Sequence, residues 1–388
     1  MRIALFSECY TPVLNGVVIA VQTLRETLRS MGHEVFIFAA GDPQPDDEQI
    51  YRLPALPFPK HPYRFARPFP SLPFDFNRLQ IDIVHCQHPF PVGRLGAHLA
   101  RKNDIPLVYT VHSLYDTMLL LAKPAIVRRF GPPAMRSVMR RFCNKADVII
   151  APSHYVAQAL AQSGIAAPIQ VVPSGVIPPQ VSPGDRERVR CQLAIPDEVP
   201  VLLYVGRLAP EKRVDLLLQA VAQLQQRLLR KPQSAFRLLL VGDGPCRCQL
   251  EWQVQRLGIQ DRVVFVGAQP HEQIGAWYAA ADLFLMPSPM ETQGLVVIEA
   301  MNCGLPCIAV SEGGAGEAVI PEQTGLICPF SAPAFATAIE ALLNNPQRRK
   351  QMGQNASRHA EIYSPARTAQ NVLAAYVQAQ AKHKKAPI

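Results

Sequence analysis

No apolar run in this 388-residue chain approaches the roughly 20 residues needed to cross a bilayer as a helix. Arg2–Phe6 already reads as a buried strand, which leaves no room for a signal peptide, so the protein is expected in the cytoplasm. The nine cysteines are odd in number and scattered. Cys246-Arg-Cys248 lacks the spacing of a zinc knuckle and no second close pair matches it, so reduced structural thiols are expected. Neither a G-x-G-x-x-G fingerprint nor an Asp-x-Asp triplet occurs. The first absence argues against a nicotinamide cofactor. With 48% hydrophobic and 18% charged residues the chain is not disordered and can bury a large core. It is too long for one ordinary core and comfortable for two α/β domains. A formal net charge of +9 admits nucleic acid, an anionic membrane or an anionic substrate, and does not choose among them.

What is present alternates between strand-like and helix-like segments. Ile3–Ser7, Glu34–Ala40, Asp82–His85, Pro106–Val111, Asp147–Ala151 and Ile169–Pro173 read as strands, with helical stretches at Val17–Met31 and Ser153–Ser163. The second half repeats the scheme at Val201–Gly206, Arg237–Gly242, Arg262–Gly267, Leu283–Pro287 and Pro306–Val310. Strands that are continuously apolar and joined by helices imply parallel sheets covered on both faces. A proline-rich break at Ser174–Pro183 separates the halves. The expected α/β architecture is therefore two Rossmann-like domains, 1–178 and 179–363, facing each other across a cleft. The amphipathic segment Ser364–Gln380 is expected to cross back, so that 364–388 joins the first domain.

Two stretches fit neither scheme. Leu53–Phe74 holds seven prolines, five aromatics and three Lys/Arg without an acid, a load that suits a flexible lid. Met118–Ala146 holds seven Lys/Arg, among them Arg128, Arg129, Arg136, Arg140 and Arg141, and again no acid. Its apolar positions, from Ile126 to Phe142, recur at roughly helical spacing. Either a solvated basic face lies over an ordinary core contact, or the helix rests on a membrane with its arginines on phosphate headgroups.

The most informative segment runs from Pro287 to Met301. Two glutamates, Glu291 and Glu299, flank Thr292, Gln293, Gly294 and Leu295, the first in a loop after a strand and the second inside a helix. With 16 glutamates in the chain the spacing alone is weak. Context strengthens it: Gly294 lets backbone approach a ligand closely, and the free N–H groups of the helix start face that ligand. A carboxylate before the helix can accept sugar hydroxyls, and one inside it ribose hydroxyls. Asn15-Gly16-Val17 opens a helix after the first strand, where amides and helix dipole favour phosphate. Gly206-Arg207 and Lys212 place two cations after a strand, suited to a leaving diphosphate. Gly242-Asp-Gly-Pro is a tight strand-to-helix turn at a further strand end, and Gly267 marks a third. His112, at the end of a strand, is either a satisfied loop histidine or a hydrogen-bonding partner of a donor sugar.

Together, Glu291-x7-Glu299, Gly206-Arg207…Lys212, Gly242-Asp-Gly-Pro and the loop at Gly16 resemble the family 4 retaining glycosyltransferases of the GT-B fold. The resemblance covers nearly the whole chain. It implies that Glu291 meets the donor sugar, Glu299 the ribose, Arg207 and Lys212 the diphosphate, that the Gly16 loop closes over it, and that His112 sits beside the sugar. The family's first loop usually carries two glycines, and Asn15 replaces the first here. No metal is expected, because cations and helix ends serve the diphosphate. Thr292-Gln293-Gly294, Tyr10-Thr-Pro and His112-Ser-Leu-Tyr115 are similar to bacterial diacylglycerol glucosyltransferases. That similarity implies UDP-glucose as the nucleotide-sugar donor, a lipid acceptor such as 1,2-diacylglycerol, and a peripheral place on the anionic inner face of the cell membrane. Mannose or sulfoquinovose donors and a soluble or polysaccharide acceptor stay open. A phosphorylase or an epimerase fits less well. Nucleic-acid binding is not expected, since the basic runs lack interleaved aromatic platforms, except in Leu53–Phe74.

Overall fold

The computed structural model describes residues 1–13, 15–57, 64–68, 70–121, 124–228 and 235–384. The chain divides into two compact units, Met1–Val176 with Tyr363–Ile388, and Ile177–Ile362. The first unit contains β1 (Arg2–Ser7), α1 (Gly16–Ser30), β2 (Glu34–Ala40), β3 (Ile50–Leu53), β4 (Ala55–Pro57) and β5 (Arg64–Ala66). There follow β6 (Ile83–Cys86), α2 (Pro91–Lys102), β7 (Leu107–Thr110), α3 (Tyr115–Met118), α4 (Ala125–Cys143), β8 (Val148–Ala151), α5 (His154–Gln162) and β9 (Ile169–Val171). Seven of these strands form one sheet in the order β3-β2-β1-β6-β7-β8-β9, and every pair in it is parallel. Ile3, Leu5, Val108 and Ile150 pack on one face and Phe6, Phe38, Tyr109 and Ile149 on the other. Burial on both faces is why these strands read as continuous apolar runs. Asn15 caps α1: its side-chain oxygen accepts from the Val17 and Val18 N–H groups, both at 2.9 Å.

The second unit contains α6 (Asp185–Gln192), β10 (Val201–Val205), α7 (Val214–Leu228), β11 (Arg237–Val241), α8 (Arg247–Leu257), β12 (Val263–Gly267), α9 (Ile274–Ala280) and β13 (Leu283–Met286). It closes with α10 (Leu295–Asn302), β14 (Cys307–Val310), β15 (Gly325–Cys328), α11 (Ala332–Leu343) and α12 (Pro346–Ala360). Its sheet, β12-β11-β10-β13-β14-β15, is parallel throughout. Strand order reverses beside β1 in one unit and beside β10 in the other, the positions where open α/β sheets form ligand crevices.

The C-terminal helix, Pro365–His383, belongs to the first unit. It buries Ala369, Val372, Ala375, Tyr376 and Ala379 in the core that α1, β1 and β8 line. The Tyr376 hydroxyl lies 2.8 Å from His85 Nδ1, inside the sheet. Chain exit and re-entry touch: the Val176 N–H donates to the Tyr363 carbonyl at 2.9 Å. A Cβ on Gly175 would sit 2.7 Å from Pro365 Cα, so only glycine fits there.

Several elements had no sequence expectation, β3, β15 and α2 among them. β3 and β15 are four-residue edge strands, too short to show a period. α2 begins with Pro-Val-Gly and mixes His, Arg and Lys into its exposed face. The expected lid at Leu53–Phe74 is partly regular: β4 and β5 pair antiparallel, and Ala66 is buried. Residues 58–63 and 69 of that stretch, and 122–123 of the basic stretch, lie outside the described residues.

Candidate active site

The second unit assembles most of the candidate donor residues at the carboxyl ends of its strands. Gly206, Gly242 and Gly267 are laced by backbone bonds: the Gly206 N–H donates to Val241 O at 2.9 Å, and the Gly242 N–H to Gly267 O at 2.8 Å. The approach is too close for a side chain, since a Cβ on Gly242 would stand 2.0 Å from the Gly206 carbonyl oxygen. The loop after β10 therefore lies directly on the Gly242 turn, and the Leu208 N–H donates to Asp243 O at 2.9 Å.

That loop ends in a single turn, Pro210–Lys212. Lys212 Nζ donates to Glu291 Oε1 in the loop after β13. Both side chains are largely buried, at 25% and 15% exposure. Backbone ties hold the two loops: Ser288 Oγ donates to Glu211 O at 3.1 Å, and the Gly314 N–H donates to Glu291 O at 2.7 Å. Arg207 turns instead to Glu211 and stays half exposed. The two expected cations thus sit on one loop, each paired with a different carboxylate. Gly294 adopts φ 75° as the N-cap of α10, the left-handed conformation that favours glycine. Gln293 is buried and Thr292 and Leu295 are half-buried beside it.

Glu299 lies in the second turn of α10 and is buried. Its Oε2 accepts from the Tyr278 hydroxyl on α9 at 2.7 Å. Burial pushes the Glu299 carboxyl above the usual range, while the Tyr278 hydrogen bond pulls against that rise. Tyr278 had no sequence signal, being one aromatic in an apolar helix.

Gly16 and His112 lie in the first unit. Gly16 is the exposed first residue of α1, next to the Val17 and Val18 N–H groups that the Asn15 side chain caps. His112 follows β7 and is half-buried; its Nε2 lies 2.7 Å from Gln87 Oε1. Burial pushes its pKa down to about 4. Gln87 itself was not expected, although polar residues closing the apolar run Ile83-Val-His-Cys-Gln-His88 mark a strand end that faces something polar. Close by, Glu8 is buried with both carboxylate oxygens satisfied, by the Ala66 N–H at 2.9 Å and the Val92 N–H at 3.1 Å. Desolvation nevertheless pushes its pKa up.

Glu8 also lines a pocket of about 140 Å³ at the ends of β1 and β2, with Tyr10, Asp42, Gln44, Arg52 and Arg64. Neither arginine is unpaired. Arg52 binds Asp47 through Nε at 2.9 Å and Nη2 at 2.8 Å, and Thr11 O through Nη1 at 2.8 Å. Arg64 is bonded to Asp42.

The basic helix α4 is split along its length. Met139 and Phe142 are buried in the core, whereas Ile126 and Phe130 are 69% and 62% exposed. Ile126 and Phe130, at the N-terminal end of the helix, stand exposed although α3 packs against the helix. Arg128, Arg129, Arg136, Arg140 and Arg141 are all exposed. Arg136 Nε bonds Asp116 at 3.2 Å, and the Arg129 guanidinium lies 5.6 Å from the Phe130 ring centre. Among the described residues no helix is long and apolar enough to cross a membrane, and no cluster of His, Cys, Asp and Glu has the makings of a metal site.

Comparison with known proteins adds a second line of observation. Residues 185–359 match the family model "Glycosyl transferases group 1", and residues 14–178 match "Glycosyltransferase Family 4". The chain is 32% identical over 357 residues to an alpha-monoglucosyldiacylglycerol synthase of Streptococcus pneumoniae, covering 89% of this chain and 79% of that protein. It is 34% identical over 306 residues to a D-inositol 3-phosphate glycosyltransferase of Nocardia farcinica, covering 76% and 66%. Among solved structures, sucrose-phosphate synthase from Thermosynechococcus elongatus superposes with a TM-score of 0.72 at 26% identity, over 97% of this chain and 98% of that one.

Proposed function

This chain belongs to the family 4 retaining glycosyltransferases of the GT-B fold, and from that premise we propose that it transfers glucose from UDP-glucose to the free hydroxyl of 1,2-diacylglycerol at an anionic membrane surface. As a member of this class it is a hexosyltransferase whose substrate is a nucleotide sugar and whose chemistry is independent of a metal.

The observation that carries the donor half is the contact between Lys212 and Glu291. It brings the cation assigned to the diphosphate against the carboxylate assigned to the sugar, as the reaction requires. The bond from the anomeric carbon to the donor phosphate breaks and its electron pair leaves with the diphosphate. The sugar passes through an oxocarbenium-like state. Lys212 and Arg207 stabilise the charge growing on the departing phosphate. The acceptor oxygen bonds the anomeric carbon on the same face, and its proton passes to a phosphate oxygen of the leaving group. Configuration is retained. In this reading Glu299 holds the ribose, Gly16 gives its N–H to the diphosphate and His112 hydrogen-bonds the sugar. Gly206, Gly242 and Gly267 let the backbone come close to the nucleotide, and Thr292, Gln293, Gly294 and Leu295 frame it. The second unit binds donor and the first binds acceptor.

Two observations favour a neutral lipid over a phosphorylated acceptor. The pocket beside Glu8 offers no spare positive charge, because Arg52 is committed to Asp47 and Arg64 to Asp42. A phosphate there would meet the Glu8 carboxylate and could recruit Arg52 only by stripping its buried pair with Asp47, which costs several kcal/mol; the exposed Arg64–Asp42 pair is the cheaper one to break. The exposed Ile126 and Phe130, flanked by arginines, suit the headgroup region of an anionic bilayer. The relative that acts on inositol phosphate supports the second reading, a soluble phosphorylated acceptor. Mass spectrometry of products from UDP-glucose, offered diacylglycerol vesicles and inositol 3-phosphate in parallel, separates the two. A monohexosyl diacylglycerol is expected. A hexosylated inositol phosphate, with the lipid untouched, overturns the acceptor assignment.

A further inference from the structure

Gln87 stands out among the buried groups the proposed chemistry does not use. It is 1% exposed. Its Oε1 lies 2.7 Å from His112 Nε2, while its Nε2 is buried without a hydrogen-bond partner. Leaving an amide donor unpaired ordinarily costs about 1–3 kcal/mol, so a solvent molecule is its natural partner. A carbonyl oxygen can only accept, so a 2.7 Å contact with a ring nitrogen places the proton on that nitrogen. A pocket of about 30 Å³ lies against the same group, lined by Thr110, Ser174, Gln87 and His112. That is room for one water to take the amide N–H.

We propose that Gln87 is a positioning residue for sugar transfer: its side-chain oxygen holds His112 as the neutral tautomer protonated at Nε2, so that Nδ1 carries the lone pair. The histidine then accepts from a sugar hydroxyl and does not donate to a sugar oxygen. The neighbours preserve that state. His88 lies 6.4 Å from His112, ring centre to ring centre, and is held in turn through its Nδ1, which accepts from the Glu8 N–H at 3.1 Å. His85 is tied on both sides, to Tyr376 at 2.8 Å and to Thr110 at 2.7 Å. Burial pushes both of these histidines down to about 3, so neither places a charge beside His112 near neutral pH. The carboxylate of Glu8, whose N–H meets His88, is occupied by two backbone donors.

The proposal rests on the placement of His112 at the donor sugar, and its test is chosen to stand apart from that placement. Long-range proton–nitrogen correlation spectra of protein labelled at its ten histidines, with His112 identified by its loss in His112→Asn, report the tautomer without substrate. The wild type is expected to show His112 protonated at Nε2 from pH 8 down to about 5. Gln87→Leu should shift the ring away from the tautomer protonated at Nε2. Gln87→Glu should raise the His112 pKa by stabilising the imidazolium, and move the acid limb of kcat/KM to higher pH by the same amount. Turnover of Gln87→Leu should fall about tenfold or more with KM for the nucleotide sugar within about twofold. A wild-type ring protonated at Nδ1, or a tautomer unchanged in Gln87→Leu, overturns the proposal. If the spectra behave as expected but His112→Asn turns over normally, the placement of His112 fails and the tautomer assignment stands.

Discussion

Lys212 and Glu291, 79 residues apart in sequence, meet through a direct hydrogen bond between ammonium and carboxylate at the carboxyl end of the second unit's sheet. The close glycine turns at 206 and 242 bring the first loop down onto the sheet end. Glu291→Ala should keep the fold but lower the unfolding midpoint, because the largely buried Lys212 loses its partner. Its turnover should fall by about two orders of magnitude, the usual cost of removing a group aimed at developing charge. Initial rates beside a thermal unfolding midpoint check both halves. A folded variant with near-normal rate removes Glu291 from the site.

Lys212→Ala tests the same pair from the other side. It removes a cation from the leaving group and leaves Glu291 without its partner. A fall in kcat of about a hundredfold is expected, larger than that of Arg207→Ala, because Arg207 is half exposed and committed to Glu211. Equal rates for Lys212→Ala and wild type contradict the clamp.

Glu299 supplies a pH prediction. Its carboxyl titrates higher in the folded protein than in the unfolded chain, because burial disfavours the charge. Such a group contributes stability that is fully present below the unfolded value of about 4.3 and is lost as pH rises through the raised folded value. Glu299→Gln removes that loss. Relative to wild type, the variant should gain in unfolding midpoint between pH 4 and pH 8, while KM for the nucleotide sugar rises. A pH-independent difference in midpoint contradicts the assignment.

Tyr376→Phe tests how the C-terminal helix is tied down. The substitution keeps the ring and leaves the buried His85 Nδ1 without its hydroxyl partner. A loss of about 1–3 kcal/mol in urea unfolding is expected.

The exposed half of α4 can be probed on vesicles. Ile126→Asp with Phe130→Asp should leave the fold intact, since both side chains are largely exposed, and weaken sedimentation with anionic vesicles. Arg128→Glu with Arg129→Glu should weaken it at least about tenfold, at roughly 1 kcal/mol per cation near such a surface, and rising salt should erase the difference. Equal binding to neutral and anionic vesicles sinks the electrostatic part.

Strands buried on both faces were legible because they leave an unbroken apolar run; β1, β2, β10 and β11 are of this kind. Short edge strands were not, since four residues such as Ile50–Leu53 carry no measurable period. Glycines at strand ends were legible as close approaches, and the 2.0 Å clearance at Gly242 gives the reason. Partners contributed by distant segments were invisible: nothing near Glu299 in sequence announces Tyr278, and nothing near His112 announces Gln87. The split of α4 was hidden as well, because helical spacing marks an apolar face without saying where the covering neighbour stops.

The central claim is that sugar leaves a nucleotide diphosphate at the Lys212–Glu291 corner for a membrane lipid, and its most direct measure is UDP release from UDP-glucose with and without diacylglycerol in anionic vesicles. The expected result is release that requires the lipid and falls about a hundredfold in Glu291→Ala. Release indifferent to diacylglycerol, or unchanged in the variant, contradicts it.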